Sequence, residues 1–305
     1  MIKVSIILPA YNAEKFISQT IASISEQTFA DFEIIVVDDG SRDATAAIAT
    51  AADPRVRVIT QANQGIAQAR NVGVLAAQGQ YIAFMDHDDL WHPQKLETQV
   101  KLLELDASCA VVYGEFERWT PPMPPAFKNT KLDCGQQVPA LSGMILSRLV
   151  ETNWVLFSTA MFRRHVFDRV GLFDPTMPPA DDWDFALRAA EQFKFVKLAQ
   201  VVALYRIHAG QTSLKLQSRN IEYELRERTL TRLHALGQLA HDEAGVQQRQ
   251  FHCIFNFGLN QYAAGKYVLA TKTFLSAFKY RKKSLRVLAY LSLARLRSIG
   301  KTAED

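Results

Sequence analysis

A chain of 305 residues with 48% hydrophobic content can bury a sizeable core, as one large domain plus an appendage or as two modest domains. The net charge is +4, and no uncharged apolar run reaches the ~18–20 residues that cross a bilayer, so a spanning helix is not expected. Cys109, Cys134 and Cys253 are odd in number and widely scattered, which argues against a disulfide framework or a zinc site and fits a reducing cytosol. In chain order, the apolar run 4–8 predicts a strand that ends in Pro9-Ala10-Tyr11-Asn12. One Lys, the early Pro9 and the lack of a small-residue cleavage site separate this run from a signal peptide. Residues 14–27 place Phe16, Ile17, Thr20, Ile21 and Ile24 at helical spacing, with Asn12 as the expected N-cap. A strand over 32–37 runs into Asp38-Asp39-Gly40-Ser41, and Asp43 is the expected cap of a helix over 44–52. A helix-like stretch starts at Gly65. The strand that begins at Tyr81 ends in Asp86-His87-Asp88-Asp89, with a helix from about Pro93.

Alternating strands and helices predict an open α/β sheet with parallel neighbours and right-handed crossovers. Ligands bind such sheets beyond the carboxyl ends of the strands. Tyr11, Asp38, Asp39, Asp86 and Asp88 all fall at those ends. A buried strand has no use for three carboxylates in four residues, because burying an unpaired carboxylate is very costly. Asp86 and Asp88 flank one residue, so two hard oxygen ligands can converge on Mg²⁺ or Mn²⁺; a solvated acidic loop is the plainer reading. No G-x-G-x-x-G or P-loop follows the first strand. Farther on, a strand over 110–114 leads into a proline-rich segment, 119–139, expected as a flap near an acceptor site or as an insertion without a role.

Five ordered motifs carry a resemblance. Val4-Ser5-Ile6-Ile7-Leu8-Pro9-Ala10-Tyr11-Asn12, Val36-Val37-Asp38-Asp39-Gly40-Ser41, the Gly/Arg segment 63–73, Asp86-His87-Asp88-Asp89 and Ala180-Asp181-Asp182-Trp183-Asp184 together resemble a family 2 glycosyltransferase of the GT-A type. The match covers residues 1–215. It implies a Rossmann-like, mostly parallel sheet flanked by helices, with residues 1–115 as the nucleotide-sugar half and 116–215 as the acceptor half. Residues 216–305 form an α-helical, basic C-terminal region in this reading.

The resemblance further implies an inverting transfer of a sugar from a UDP- or dTDP-type donor to a hydroxyl of a saccharide or lipid-linked saccharide. Surface polysaccharide or glycolipid assembly in bacteria is the expected setting. Asp88 then holds Mn²⁺ or Mg²⁺, and Asp86 meets the metal or the ribose. Tyr11, following Pro9, offers a face for a nucleobase, and such stacking is worth about 1–3 kcal/mol. Asp38 or Asp39 accepts the imide N–H of a uracil or thymine ring, the choice being open. Arg70 meets the nucleotide or its phosphates. His87 is either a phosphate donor or the variable middle residue. Asp182 is the expected general base. Asp181 stands where the family more often has Glu, which leaves open which acid faces the acceptor. Asp184 is expected to cap a helix over 185–192. Trp183, like Trp154, offers a sugar-stacking face or core packing. Tyr205-Arg206-Ile207-His208 with Gln211-Thr212-Ser213 resembles a late family segment that closes over the diphosphate, and His208 is a phosphate or metal contact. A sugar-1-phosphate nucleotidyltransferase would want a Gly-rich basic loop that Pro9-Ala10-Tyr11-Asn12 lacks. A non-catalytic scaffold is disfavoured by Asp86, Asp88 and Asp182 occurring together.

Residues 251–300 hold nine Lys or Arg and no Asp or Glu. Lys279, Arg281, Lys282, Lys283 and Arg286 form the densest cluster, beside aliphatic residues at 287–288 and 291–296. This pattern fits a cytoplasmic protein with a helix that lies on an anionic membrane surface, at the inner face of the plasma membrane; an ordinary helical subdomain with a solvated basic face is the plainer reading. Nucleic acid is not expected, since no stacking aromatics interleave with the basic residues in a recognisable module. Segments 265–270 and 274–278 also resemble half of a tetratricopeptide-like helical pair, and one such unit does not make a repeat array.

Overall fold

Strand β1 (Val4–Ala10) is buried at every position and lies between β2 (Phe32–Asp38) and β4 (Tyr81–Phe84), both parallel to it. Burial on both faces explains why these strands read as near-continuous apolar runs rather than alternating ones. The one polar residue inside β1, Ser5, donates to Glu33 and accepts from the backbone N–H groups of Gln78 and Gly79, so nothing polar is stranded there. The computed structural model describes residues 2–128, 130–177, 179–211, 225, 228, 229, 232, 243–280 and 284–299. The chain divides into two compact units, residues 1–215 and 216–305.

In the first unit an eight-stranded sheet has the order β3-β2-β1-β4-β7-β6-β8-β5. β3 (Val56–Thr60) extends the parallel side, and β7 (Met161–Arg163) runs antiparallel to β4 and to β6 (Cys109–Trp119). β8 (Lys194–Arg206) is parallel to β6, and the short β5 (Leu90–Trp91) pairs antiparallel with it. The register Ala10↔Asp38 and Ile7↔Phe84 brings the ends of β1, β2 and β4 to one edge, which is where the acidic motifs emerge.

Helices α1 (Ile17–Ser25), α2 (Thr45–Ala52), α3 (Ile66–Ala76) and α4 (Lys95–Leu105) connect the strands. α1 buries Ile17, Thr20, Ile21 and Ile24, the stripe that the sequence pattern predicts. It starts later than expected, and Asn12 does not cap it. Asn12 instead adopts φ 49° and holds the 41–42 turn, donating its N–H to Ser41 and accepting from the Arg42 N–H. Asp43 accepts the Thr45 N–H, so it closes the turn into α2. α3 lies so close to β1 that a Cβ at Gly73 would sit 2.3 Å from Ile7 Cγ2.

β6 runs past the expected strand, through to Trp119, because β8 keeps pairing with it across register shifts. Part of the proline-rich segment beyond it is pinned. Leu132 and Asp133 donate backbone N–H groups to Gln94 and Gln200, and Val138 donates to the Lys197 carbonyl. α5 (Leu146–Glu151), α6 (His165–Val170) and α7 (Asp181–Ala190) complete the unit. α7 begins four residues before the expected helix. Asp184 is therefore inside its first turn, paired with Arg188 at 2.8 Å, and is not a cap.

The second unit contains α8 (Glu243–Ala263), α9 (Tyr267–Tyr280) and α10 (Leu285–Arg297). Phe251, Ile254, Phe255, Phe274, Val287 and Leu291 build its core. Among the described residues no helix is long and apolar enough to cross a membrane. Arg281, Lys282 and Lys283 of the basic cluster, and Thr212 and Ser213 after His208, lie outside the described residues.

Candidate active site

Two acidic motifs far apart in sequence meet on one guanidinium. Arg70, on α3, donates Nη1 to Asp181 Oδ2 at 2.7 Å and Nη2 to Asp86 Oδ1 at 3.1 Å. Its seat is aromatic: Phe157 and Phe173 lie 5.5 Å and 5.7 Å from the guanidinium, within a cluster that also holds Phe84, Phe162, Phe167 and Phe185. Burial by itself would lower the Arg70 pKa, but Asp181, Asp86 and Asp182 outweigh it and raise it, so the cation is permanent. Asn71 fixes the next turn by exchanging two hydrogen bonds with the Phe173 backbone, at 3.0 Å and 2.8 Å.

This arrangement corrects two sequence expectations. Arg70 is buried with both terminal nitrogens committed to carboxylates, so it offers no free guanidinium to a diphosphate. Asp181 is only 1% exposed and is spent on Arg70, so it does not face a substrate. Asp182 differs from its neighbour. It is partly exposed, and its Oδ1 accepts the Trp183 N–H at 2.6 Å. Crowding by the protein, together with the charges of Asp181 and Asp86, pushes its pKa up to about 7 against the pull of Arg70 and the Trp183 N–H. A third correction concerns Trp183. It is 5% exposed and its indole N–H is satisfied by the Leu149 carbonyl, so it packs inside and presents no face to a sugar. Trp154, by contrast, is 43% exposed.

The strand-end loop 86–89 is held from several sides. Thr20 Oγ1 donates to the carbonyls of His87 and Asp89, and Ser158 Oγ accepts the Asp86 N–H. Arg206 Nε donates to the Asp88 carbonyl at 2.6 Å, and its backbone N–H donates to Asp89 Oδ1. Phe16 and Trp119 sandwich the Arg206 guanidinium at 4.6 Å and 4.5 Å. Asp89 is fully buried, and burial with Asp88 and Asp86 nearby holds its pKa well above the usual carboxylate range.

Asp88 and Asp86 take different partners. Asp88 Oδ2 lies 2.8 Å from His208 Nε2, while Asp86 is tied to Arg70. His208 Nδ1 accepts the Gly210 N–H, so Nε2 carries the proton and donates to Asp88. Among the described residues no three His, Cys, Asp or Glu side chains form a metal cluster. Both ring nitrogens of His208 are thus engaged, which corrects its expected metal contact; the Asp88 carboxylate is the hard oxygen that suits Mg²⁺ or Mn²⁺, whose shells phosphate oxygens and water complete. His87 Nδ1 lies 3.3 Å from the Pro9 carbonyl, which ties that middle residue to β1.

Pro9 is buried in β1, whereas Tyr11 just beyond it is 42% exposed, the condition for stacking on a flat ligand. Asp38 and Asp39 are both buried. Asp39 organises the 61–65 loop by accepting from Gln61 Nε2, Gln64 N and Gly65 N at 2.7–2.9 Å. Asp38 accepts the Ser41 N–H.

Comparisons with known proteins fit this geometry. The sequence profile of Glycosyl transferase family 2 matches residues 5–171, more than half of the chain. The chain belongs to glycosyltransferase family 2. The uncharacterized glycosyltransferase EpsJ of Bacillus subtilis is 36% identical over 203 residues, which are 64% of this chain and 58% of EpsJ. The Escherichia coli UDP-Glc:alpha-D-GlcNAc-diphosphoundecaprenol beta-1,3-glucosyltransferase WfgD is 41% identical over 116 residues, 37% of this chain and 46% of WfgD. The chain thus spans about half the length of these two relatives. Staphylococcus aureus TarS 1-349, solved in complex with UDP-GlcNAc, superposes with a TM-score of 0.67 at 21% identity, covering 97% of this chain and 88% of that one. The fold is therefore of the GT-A type.

Within this family 2 frame, the residues that sequence reading passes over are the braces Thr20 and Ser158. Thr20 carried a signal, being a hydroxyl on the apolar stripe of α1. Ser158 carried none, because its partner is 72 residues away in the chain. Arg206 lies in the late segment 205–208, but its bond to the Asp88 carbonyl, about 120 residues away, was not legible.

Proposed function

We propose that this protein is an inverting, metal-dependent transferase that moves a sugar from a UDP- or dTDP-sugar to a hydroxyl of a saccharide or lipid-linked saccharide. The observation that carries the proposal is the placement of Asp182. It is the partly exposed acid beside the buried Arg70–Asp181 ion pair, and desolvation, with the neighbouring carboxylates, pushes its pKa up to about 7, where a general base needs to be poised. The acceptor hydroxyl gives its proton to Asp182 as its oxygen attacks the anomeric carbon. The bond from that carbon to the diphosphate breaks on the opposite face, and its electron pair leaves with the diphosphate. Asp88, oriented by His208, would hold Mn²⁺ or Mg²⁺, with Asp86 toward the metal or ribose, and the ion would neutralise charge on the leaving diphosphate. Tyr11 would stack on the base, with Asp38 or Asp39 accepting the imide N–H. Residues 1–115 would thereby serve the donor and 116–215 the acceptor. The UDP-sugar named for WfgD and bound to TarS supports a uridine donor, and the diphosphoundecaprenol in WfgD's name supports a lipid-linked acceptor. A bacterial surface polysaccharide or glycolipid is the product class that fits.

The test is release of UDP from UDP-glucose and UDP-N-acetylglucosamine, with Mn²⁺ and with a chelator. Asp88→Asn is expected to abolish metal-dependent turnover and leave the melting temperature close to that of the wild type, since Asp88 is partly exposed. Full activity of this variant at low Mn²⁺ would remove Asp88 from the metal site. The pH profile supplies a second check. With the Asp182 carboxyl at about 7, the rate under subsaturating substrate should rise roughly tenfold per pH unit below neutrality and level off above it. A rate that is flat between pH 5 and pH 7 would contradict a base held near 7.

A further inference from the structure

We propose that α10 lays one face on an anionic phospholipid surface. The helix is apolar on two sides. Val287, Leu291 and Ala294 are buried in the core of the second unit. On the other side Leu285, Leu288 and Leu296 are 81%, 41% and 67% exposed, and Ile299, in the turn just past the helix end, is 77% exposed. At about 100° per residue, Leu285, Leu288 and Leu296 fall within an arc of about 80°, and Ile299 follows three residues on. Single exposed leucines are ordinary, but a row of them along one helix needs an occupant. The sequence pattern alone does not say which residues of the aliphatic run face outward. The structure divides that run, turning Val287 and Leu291 inward and leaving the opposite row outside.

Charge selects the occupant. Arg295 borders the row on one side, Arg286 and Arg297 on the other, and all three are exposed. Lys266, Lys272 and Lys279 of the same unit are exposed as well, and residues 251–300 contain no acid that could neutralise them. An apolar row edged by arginines matches a leaflet surface, where acyl chains lie beneath phosphate headgroups. The arginine stems can lie along the apolar layer while their heads stay at the phosphates. Two signals acting together, apolar insertion and basic attraction, are what reversible surface binding requires.

The experiment is sedimentation of the full chain with vesicles, without donor, metal or acceptor, so that failure here leaves the transfer reaction untouched. The chain should sediment with phosphatidylcholine vesicles containing about one-third phosphatidylglycerol, fail to sediment with pure phosphatidylcholine, and be released as salt rises. Arg286→Gln with Arg295→Gln should weaken binding about 25-fold, fivefold for each charge removed. Leu285→Gln with Leu296→Gln should weaken it at least about tenfold. These side chains are exposed, and an unchanged circular-dichroism melt would show that the variants fold. No sedimentation with the anionic vesicles at low salt would overturn the proposal, as would leucine variants that bind like wild type. Leucine variants that dissociate a dimer but keep their lipid binding would assign the face to a second copy of the chain, and would overturn it too.

Discussion

Asp182→Asn is expected to lower sugar transfer by a factor on the order of 10²–10⁴ while UDP still binds. The amide keeps the size and polarity of the side chain but cannot take the acceptor's proton. Asp182 is partly exposed and accepts the Trp183 N–H, so the substitution removes little packing. The readout is a pair of measurements, transfer rate and UDP affinity, on the same variant. Asp181→Asn serves as the contrast, because Asp181 is bound to Arg70 and its loss should appear first as instability. If Asp182→Asn transfers at the wild-type rate, the base has been misassigned. The same carboxyl has a cost for the fold. An exposed aspartate loses its proton near pH ~3.9, whereas Asp182 keeps it to about 7. Between these values the folded chain holds more protons than the unfolded chain, so stability falls as pH rises through that window and is level above it. A group useful to the reaction at neutral pH is thus held there against stability.

Arg70→Met is expected to destabilise the fold by about 3–5 kcal/mol, the usual consequence of breaking a buried ion pair by removing one partner. The guanidinium is 4% exposed and neutralises Asp181, itself 1% exposed, and it also reaches Asp86. Methionine can fill part of the space among Phe157 and Phe173, so cavity formation is a minor component and the unpaired Asp181 charge is the major one. Urea denaturation of Arg70→Met alone and combined with Asp181→Asn separates the two. The second substitution should recover part of the loss, because it removes the unpaired charge. No recovery would assign the loss to packing. A change below about 1 kcal/mol at neutral pH would show that the pair has little structural weight.

The strands and their acidic ends were legible in the sequence because both are local. Apolar runs at 4–8, 32–37 and from Tyr81 fix β1, β2 and β4, and the carboxylates at 38–39 and 86–89 lie where β2 and β4 end; that Asp38, Asp39 and Asp89 are buried there on backbone N–H groups was not legible. Parallel pairing then brings Asp38 and Asp86 to one edge as a matter of topology. Helix starts were read less well, since Asn12 and Asp184 satisfy the capping pattern locally but are drawn by Ser41, Arg42 and Arg188 instead. The roles of charged groups were beyond the sequence altogether. Arg70 lies 111 residues from Asp181, and His208 lies 120 residues from Asp88. Whether an arginine meets a phosphate or a buried carboxylate depends on which side chains the fold packs around it, and Phe157 and Phe173 close over this one. The same holds for Trp183, whose indole finds the Leu149 carbonyl, and for the two sides of α10. Periodicity and composition therefore determined the α/β sheet, its acidic edge and the basic helical unit. Tertiary packing alone decided which of the two acids at 181–182 is committed to a cation and which titrates near 7, because only desolvation and a fixed neighbouring charge distinguish adjacent residues of the same kind.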